Sequence, residues 1–438
     1  MEDFLFTPIV ILLGLAVHAV VLRLHETAEG KILTFSFGGH VASGFLQMVL
    51  VLYYYPGGDM LGYLGDGIVI AEVLKSDFFE WLPEVAAVFF QQPDRLPVEF
   101  YRAGTTGSMT ALSSLVMLAV GASPYAACQL VALAAYLSNV LAYRALRTWL
   151  APVAKLPLLW GLATLPSAVF WSSCLLKEPI VFCALGPLLL ALSWLAAAKR
   201  RTAAVLLLVP SAVVISVIKP YVLIAFSLAA GVFYLVTRGR AQVAALRPFV
   251  FITATALAMG GLLLASSYFS KGEGASTAST LANQRRAGYG IEGGSNYFLD
   301  EAGADAESRS IAQEAALAPI ALLTALYRPL IFEARNAVQL LNAIEATALL
   351  LLTIQIIRRR GFRNVFNHIR QEPVLTFCAA FVFALALGTG LATSNLGTLS
   401  RYRAPMMPFF FALLMLLRQS PVEPGAKSAG VVTPGAAE

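Results

Sequence analysis

Asp59 stands directly after an apolar run, in the segment YYYPGGDMLGYLGDG (53–67), and Asp66 follows seven residues later. Pro-Gly-Gly forces an irregular turn, which delivers a carboxylate to a membrane boundary lined by tyrosines of the kind that form an interfacial belt. A carboxylate held there can act as a base on a lipid-borne substrate. If residues 60–72 are helical, Asp66 shares the face of Asp59, and paired carboxylates permit either a base with a helper or a metal site. A belt and a turn with solvated acids is the plainer reading of the same residues.

Cations at helix ends supply the complementary chemistry. Lys177 and Glu178 sit side by side in PSAVFWSSCLLKEP (166–179), within a long apolar stretch where ionisable groups are costly and are usually paired or functional. Snorkelling at a short turn is the alternative. Lys219-Pro220-Tyr221 places another cation at a turn that topology does not require. Arg328 lies with Glu333 and Arg335 in YRPLIFEARN, and Arg401 and Arg403 lie in SRYRAP (400–405). Gathered together, Lys177, Lys219, Arg328, Arg401 and Arg403 would form an anion site suited to a phosphate or pyrophosphate, because a guanidinium binds such oxygens in pairs. Ordinary interfacial anchoring competes with that reading. Glu345, deep in an apolar run, is either a structural partner or part of a proton pathway.

The elements that position these residues are membrane helices. The chain has 438 residues, of which 58% are hydrophobic and only 13% charged, about half the charge of a soluble domain. Apolar runs long enough for a hydrocarbon core of about 30 Å are predicted at 4–22, 38–55, 124–142, 156–173, 179–198, 203–218, 221–237, 248–266, 336–357, 374–394 and 404–417. The expected fold is therefore an all-α polytopic membrane protein with about 11 transmembrane helices, a single multi-span domain over 1–418, and large extracytoplasmic loops at 56–123 and 267–318. Residues 106–121 and 316–332 are expected to be interfacial or broken helices, with a short helix at about 305–317 capped by Asp305 or Ser308. Residues 419–438 read as a disordered cytoplasmic tail.

Sidedness follows from the loops. Glu2 and Asp3 precede the first run and Arg23 and Lys31 follow it, the reverse of a secretory signal. With the N-terminus outside, 18 of the 31 Lys and Arg residues and only five acids face the cytoplasm, as the positive-inside rule requires. The net charge of +6 thus reports topology, and no nucleic-acid partner is implied. Cys128, Cys174, Cys183 and Cys378 lie in or beside apolar runs with no metal-ligand spacing, so neither a disulfide framework nor a zinc site is expected.

In layout and short motifs the chain resembles the GT-C superfamily of membrane glycosyltransferases, in particular bacterial members related to the protein mannosyltransferases and aminoarabinose transferases. The resemblance rests on Gly57-Gly58-Asp59 opening the first large outer loop, the basic turn Tyr143-Arg144-Ala145-Leu146-Arg147, the Pro-Ser-x-x-Phe-Trp-Ser-Ser stretch before Lys177-Glu178, and Ser400-Arg401-Tyr402-Arg403-x-Pro405 before the last run. It implies transfer of a sugar from a polyprenyl-phosphate-linked donor to a glycan, lipid or protein acceptor, at the extracytoplasmic face of the bacterial cytoplasmic membrane. It further implies that Asp59 is the general base and that Lys219, Arg401 and Arg403 bind the lipid phosphate. The chain departs from the pattern in an additional N-terminal span, and in having one clear aspartate where relatives carry an acidic pair, so that Asp66 would supply the second acid. No cofactor is required. A divalent metal would help neutralise a phosphate, but no ligand cluster calls for one. A polysaccharide polymerase or ligase acting on lipid-linked glycans, with Arg285 and Arg286 contributing, is the second reading. A lipid-linked sugar transporter or flippase is the third, and it would need polar groups along a path through the bundle.

Overall fold

The computed structural model describes residues 2–54, 57–102, 104–238, 296–297, 299 and 311–419. The first half of the chain forms α1 (Glu2–Arg23), α2 (Thr27–Tyr53), α3 (Asp59–Ser76), α4 (Phe78–Phe89), α5 (Gly104–Ala119), α6 (Pro124–Leu146), α7 (Lys155–Ala163), α8 (Pro166–Trp171) and α9 (Lys177–Ala196). The second half forms α10 (Arg201–Ile218), α11 (Pro220–Arg238), α12 (Ile311–Ala316), α13 (Ala318–Tyr327), α14 (Ala337–Arg360), α15 (Phe362–Gln371), α16 (Pro373–Ala392), α17 (Leu396–Tyr402) and α18 (Met407–Arg418). Among the described residues there is no strand, only an isolated bridge between Asn296 and Asn395. The protein is an all-α polytopic membrane protein.

Eight described helices, α1, α2, α6, α9, α10, α11, α14 and α16, are long and apolar enough to cross a bilayer. Two expected spans take another form. Residues 156–173 divide into α7 and α8 because Pro166 biases the preceding Leu165 out of the helical region, and Leu165 is extended with φ −66° and ψ 119°. Residues 404–417 yield α18, whose 12 residues reach only about 18 Å. The run 248–266, Arg285, Arg286, the caps Asp305 and Ser308, and residues 420–438 lie outside the described residues. Of the helix expected at 305–317, α12 covers the C-terminal part. The stretch 316–332 does break, α13 ending before Arg328.

Local sequence sets the helix ends. Ser123 accepts from the Ala126 N–H at the start of α6, with Pro124 in the first turn, and Asn336 does the same for Gln339 at α14. Helix α14 closes on Arg358-Arg359-Arg360, cations placed against the negative end of the helix dipole. Close packing between helices depends on glycine. A Cβ on Gly161 of α7 would stand 2.2 Å from the Ala412 Cα of α18, and one on Gly186 of α9 would stand 2.1 Å from the Ser138 carbonyl oxygen of α6. At the centre of the second half, α16 is almost wholly buried. There Phe377 and Phe381 meet Phe226 and Phe409 edge to face, with ring centroids 5.1–6.0 Å apart.

Helices α1 and α2 form an antiparallel hairpin, so the start of α1 and the end of α2 share one end of the bundle. At the opposite end Glu29 accepts from the Tyr143 hydroxyl and pairs with Arg147 at 3.4 Å. At the shared end α3 and α5 pack as a parallel pair, both starting beside Lys177, close enough that a Cβ on Gly67 would stand 3.0 Å from the Ser113 Cβ. Asp59 begins α3 beside the end of α2. The other end of α3 lies near the start of α1, where Lys75 feels the charge of Glu2. Both ends of this 18-residue helix thus neighbour ends of membrane helices, and its length of about 27 Å runs along the end of the bundle. Helix α5, expected at the lipid interface, lies along this end too but is covered: Ser108, Met109, Thr110, Ser113, Ser114 and Met117 are all fully buried. Its serines turn inward, bonding to their own helix carbonyls.

Candidate functional site

Asp59 is aimed by backbone that only glycine adopts easily. Gly57 and Gly58 have φ of 120° and 100°, a region closed to most side chains, and they turn the chain so that α3 starts at Asp59. Its carboxylate is half exposed and accepts from Arg401 of α17, Nη1 to Oδ2 at 2.9 Å. The Arg401 Nε stands 3.3 Å from Glu178 Oε1, without the alignment of a hydrogen bond. The same Glu178 oxygen accepts from Lys219 Nζ at 2.7 Å. Lys219 also donates to the Tyr221 hydroxyl at 3.0 Å and lies 3.9 Å from the centroid of the Tyr402 ring. Lys177, next to Glu178 at the start of α9, donates to the Thr105 and Thr106 hydroxyls of α5 at 3.0 and 2.8 Å.

Six of the nine residues singled out in the sequence therefore meet: Asp59, Lys177, Glu178, Lys219, Tyr221 and Arg401. Their charges leave one net positive. The cluster is graded in exposure, with the side chains of Glu178 and Lys219 only 2% and 7% accessible, Arg401 22% and Asp59 53%. Burial works to lower the Lys219 ammonium, yet the Glu178 carboxylate outweighs it and holds the pKa above its ordinary value. Arg401 is likewise opposed by burial and raised by Glu178, Tyr402 and Asp59. Both stay cationic across any physiological pH. Burial, with the Asp59 charge, raises the Tyr63 phenol, so that ring is a neutral wall. The starts of α3 and α9 carry no side-chain cap at the preceding residue, and both present the positive end of a helix dipole to this place.

The structure places the other three elsewhere. Asp66 shares the face of Asp59 as expected, but seven residues of helix separate them by about 10 Å, and Asp66 accepts from the Tyr101 N–H at 3.4 Å. Arg328 forms a two-pronged pair with Glu333, Nε to Oε1 at 2.8 Å and to Oε2 at 3.1 Å, and lies over the Tyr297 ring. Arg403 is fully buried and donates to the carbonyls of Ala325 and Arg328 at 3.2 and 2.6 Å. It closes the C-terminal end of α13, where carbonyls lack helical partners, in place of the phosphate contact expected of it. Burial lowers its pKa, though a guanidinium remains charged. Glu345 accepts from both the N–H and the hydroxyl of Ser167, the structural alternative of the two the sequence allowed.

Sequence reasoning missed Tyr63, Thr105, Thr106 and Tyr402 as site residues. Tyr63 lies one helical turn after Asp59, and its ring is 6.0 Å from the Lys177 ammonium, so the (i, i+4) rule could have found it. Nothing in the sequence marks the two threonines. Among the described residues no group of three or more His, Cys, Asp or Glu is placed to hold a metal ion. Comparison of the chain with protein-family models, with curated proteins and with solved structures finds no match.

Proposed function

We propose that the chain is an integral-membrane glycosyltransferase that moves a sugar from a polyprenyl-phosphate-linked donor to an acceptor hydroxyl on a glycan, lipid or protein. The observation that carries this reading is the convergence of one half-exposed carboxylate, Asp59, with three cations, Lys177, Lys219 and Arg401, at one end of a membrane bundle. Asp59 takes the proton of the acceptor hydroxyl as its oxygen bonds to the anomeric carbon. The bond from that carbon to the phosphate oxygen breaks, and the electron pair leaves with the polyprenyl phosphate. The phosphate gains one negative charge in this step, which the cations and the two helix N-termini stabilise. An arriving phosphate also competes with Asp59 for Arg401, so donor binding favours the free base.

The accompanying topology has about eleven spans, the run 248–266 included, with the N-terminus and the site outside and the C-terminus in the cytoplasm of a bacterial cell. Residues 1–418 act as one domain. Lys199-Arg200-Arg201 and Arg358-Arg359-Arg360 on the far side of the bundle support that orientation.

The test uses the purified full chain in lipid nanodiscs with a synthetic short-chain polyprenyl phosphohexose, following release of polyprenyl phosphate by chromatography. The expected result is release that depends on an added hydroxyl acceptor, together with thermal stabilisation by polyprenyl monophosphate alone. Neither release nor stabilisation across a panel of hexoses would overturn the assignment.

A further inference from the structure

Helix α4 has two apolar faces, and only one of them is used inside the protein. Val85 and Val88 are buried, with Trp81, Leu82 and Phe89 partly so, in a small core shared with Ile70 and Leu74 of α3 and Ala111 of α5. At about 100° per residue, Phe79, Pro83, Ala86 and Phe90 fall within about 60° of one another on the opposite side of the helix. This is an i, i+4, i+7, i+11 stripe. Phe79 is 85% and Phe90 52% exposed. The polar residues of the helix are confined to a narrow wedge, Glu80 and Glu84, and Glu84 is clamped by Arg95 through Nε at 3.0 Å and Nη2 at 2.7 Å. A helix facing water on its outer side would carry its charges there.

Position supplies the occupant. Helix α4 follows α3 at the end that reaches α1 and shares its core with α5, beyond which the Ser123 hydroxyl donates to Asp3 at the start of α1. The first turns of α1 beyond Glu2 expose Phe4 and Leu5 at 89% and 60%, as a lipid-facing helix does. The α4 stripe thus continues the bilayer-facing surface of the bundle, with Phe78 and Phe79 at the α3–α4 turn of the type that inserts from an interfacial helix and Lys75 of the type that snorkels to the headgroups.

We propose that α4 is an interfacial helix whose Phe79–Pro83–Ala86–Phe90 stripe enters the leaflet on the Asp59 side of the membrane. It takes the role the sequence suggested for α5, which is covered. Because α4 shares its core with α3, the contact sets the depth at which α3 presents Asp59. The inference holds whatever group the site transfers.

Photo-crosslinking tests it in the full chain, in nanodiscs of phosphatidylethanolamine and phosphatidylglycerol. Phe79→benzoylphenylalanine and Phe90→benzoylphenylalanine should each give phospholipid adducts by mass spectrometry, in yield comparable to Phe4→benzoylphenylalanine. Glu80→benzoylphenylalanine should give at least fivefold less. Ala86→benzoylphenylalanine reads the same stripe should position 79 not tolerate the probe. Crosslinks that double the protein mass, indicating a second copy on the stripe, would overturn the proposal, as would lipid adducts at position 4 with none at 79, 86 or 90.

Discussion

Glu178→Gln tests whether the cluster is held together by one buried carboxylate. At an effective dielectric constant of about 20, attraction between unit charges 2.7 Å apart, the Lys219–Glu178 separation, is about 6 kcal/mol, and at the 3.3 Å of Arg401–Glu178 it is about 5 kcal/mol. Against this stands the desolvation of three ions, several kcal/mol each, so the assembled group gains little over an apolar packing of the same volume. Removing one member is different, because it leaves the cost without the compensation. Glu178→Gln and Lys219→Met should each destabilise the protein by about 3–5 kcal/mol. The double variant should cost about 2–3 kcal/mol less than the sum of the two, since Lys219 is no longer stranded and Arg401 keeps Asp59 as its partner. Unfolding by SDS in mixed micelles, followed by helical circular dichroism, measures all four corners of the cycle. Additivity within about 0.5 kcal/mol would refute the argument, since it would mean that the two groups are compensated separately.

Asp59→Asn should separate function from fold in the opposite sense. The half-exposed pair with Arg401 is worth only about 0.2–1 kcal/mol, whereas loss of a general base lowers turnover by about 10²–10⁴; the nanodisc release assay and the SDS titration read the two. Gly161→Ala should destabilise by about 1–3 kcal/mol or more through overpacking, because its Cβ would meet the Ala412 backbone at 2.2 Å, and the same titration checks it. Burial pushes the Glu333 carboxyl up, but Arg328 and the Leu330 N–H outweigh it and hold it below the ordinary value of 4.5. A depressed carboxylate stabilises the fold at pH above 4.5 and loses that contribution as pH falls through its lowered pKa. Melting curves of Glu333→Gln should therefore lie below those of the parent at pH 7 and converge on them as pH falls below 4.5.

The apolar runs were legible because the hydrocarbon core imposes one length on every spanning helix, and eight of them are long helices among the described residues. The exceptions follow from single residues or neighbours. Pro166 divides one run, and burial between α3 and α4 turns α5 from an interface helix into an internal one. At the site, proximity to the membrane edge marked Asp59, Lys177, Glu178, Lys219 and Arg401, but partner identity was not readable, since α3, α9, α17 and the α10–α11 turn meet only in three dimensions. Arg401 and Arg403 show why counting charges by segment fails. Two residues apart at a helix end, they point about 160° from one another. One reaches Asp59 and the other the carbonyls of α13.

The polar cluster has an inner boundary. Glu178 is the inner limit of the cluster, and beyond it α9 continues through Pro179, Ile180 and Val181, all buried. Glu345, which the sequence also allowed as a proton-pathway residue, accepts from Ser167 at the start of α8. The charge of this cluster therefore stops at Glu178. Exposure rises from Glu178 through Arg401 to Asp59, so the rigid cations lie behind and the half-exposed carboxylate stands at the mouth. On the proposed function, a phosphate arriving from solvent or from the headgroup layer would meet Asp59 first and compete with it for Arg401.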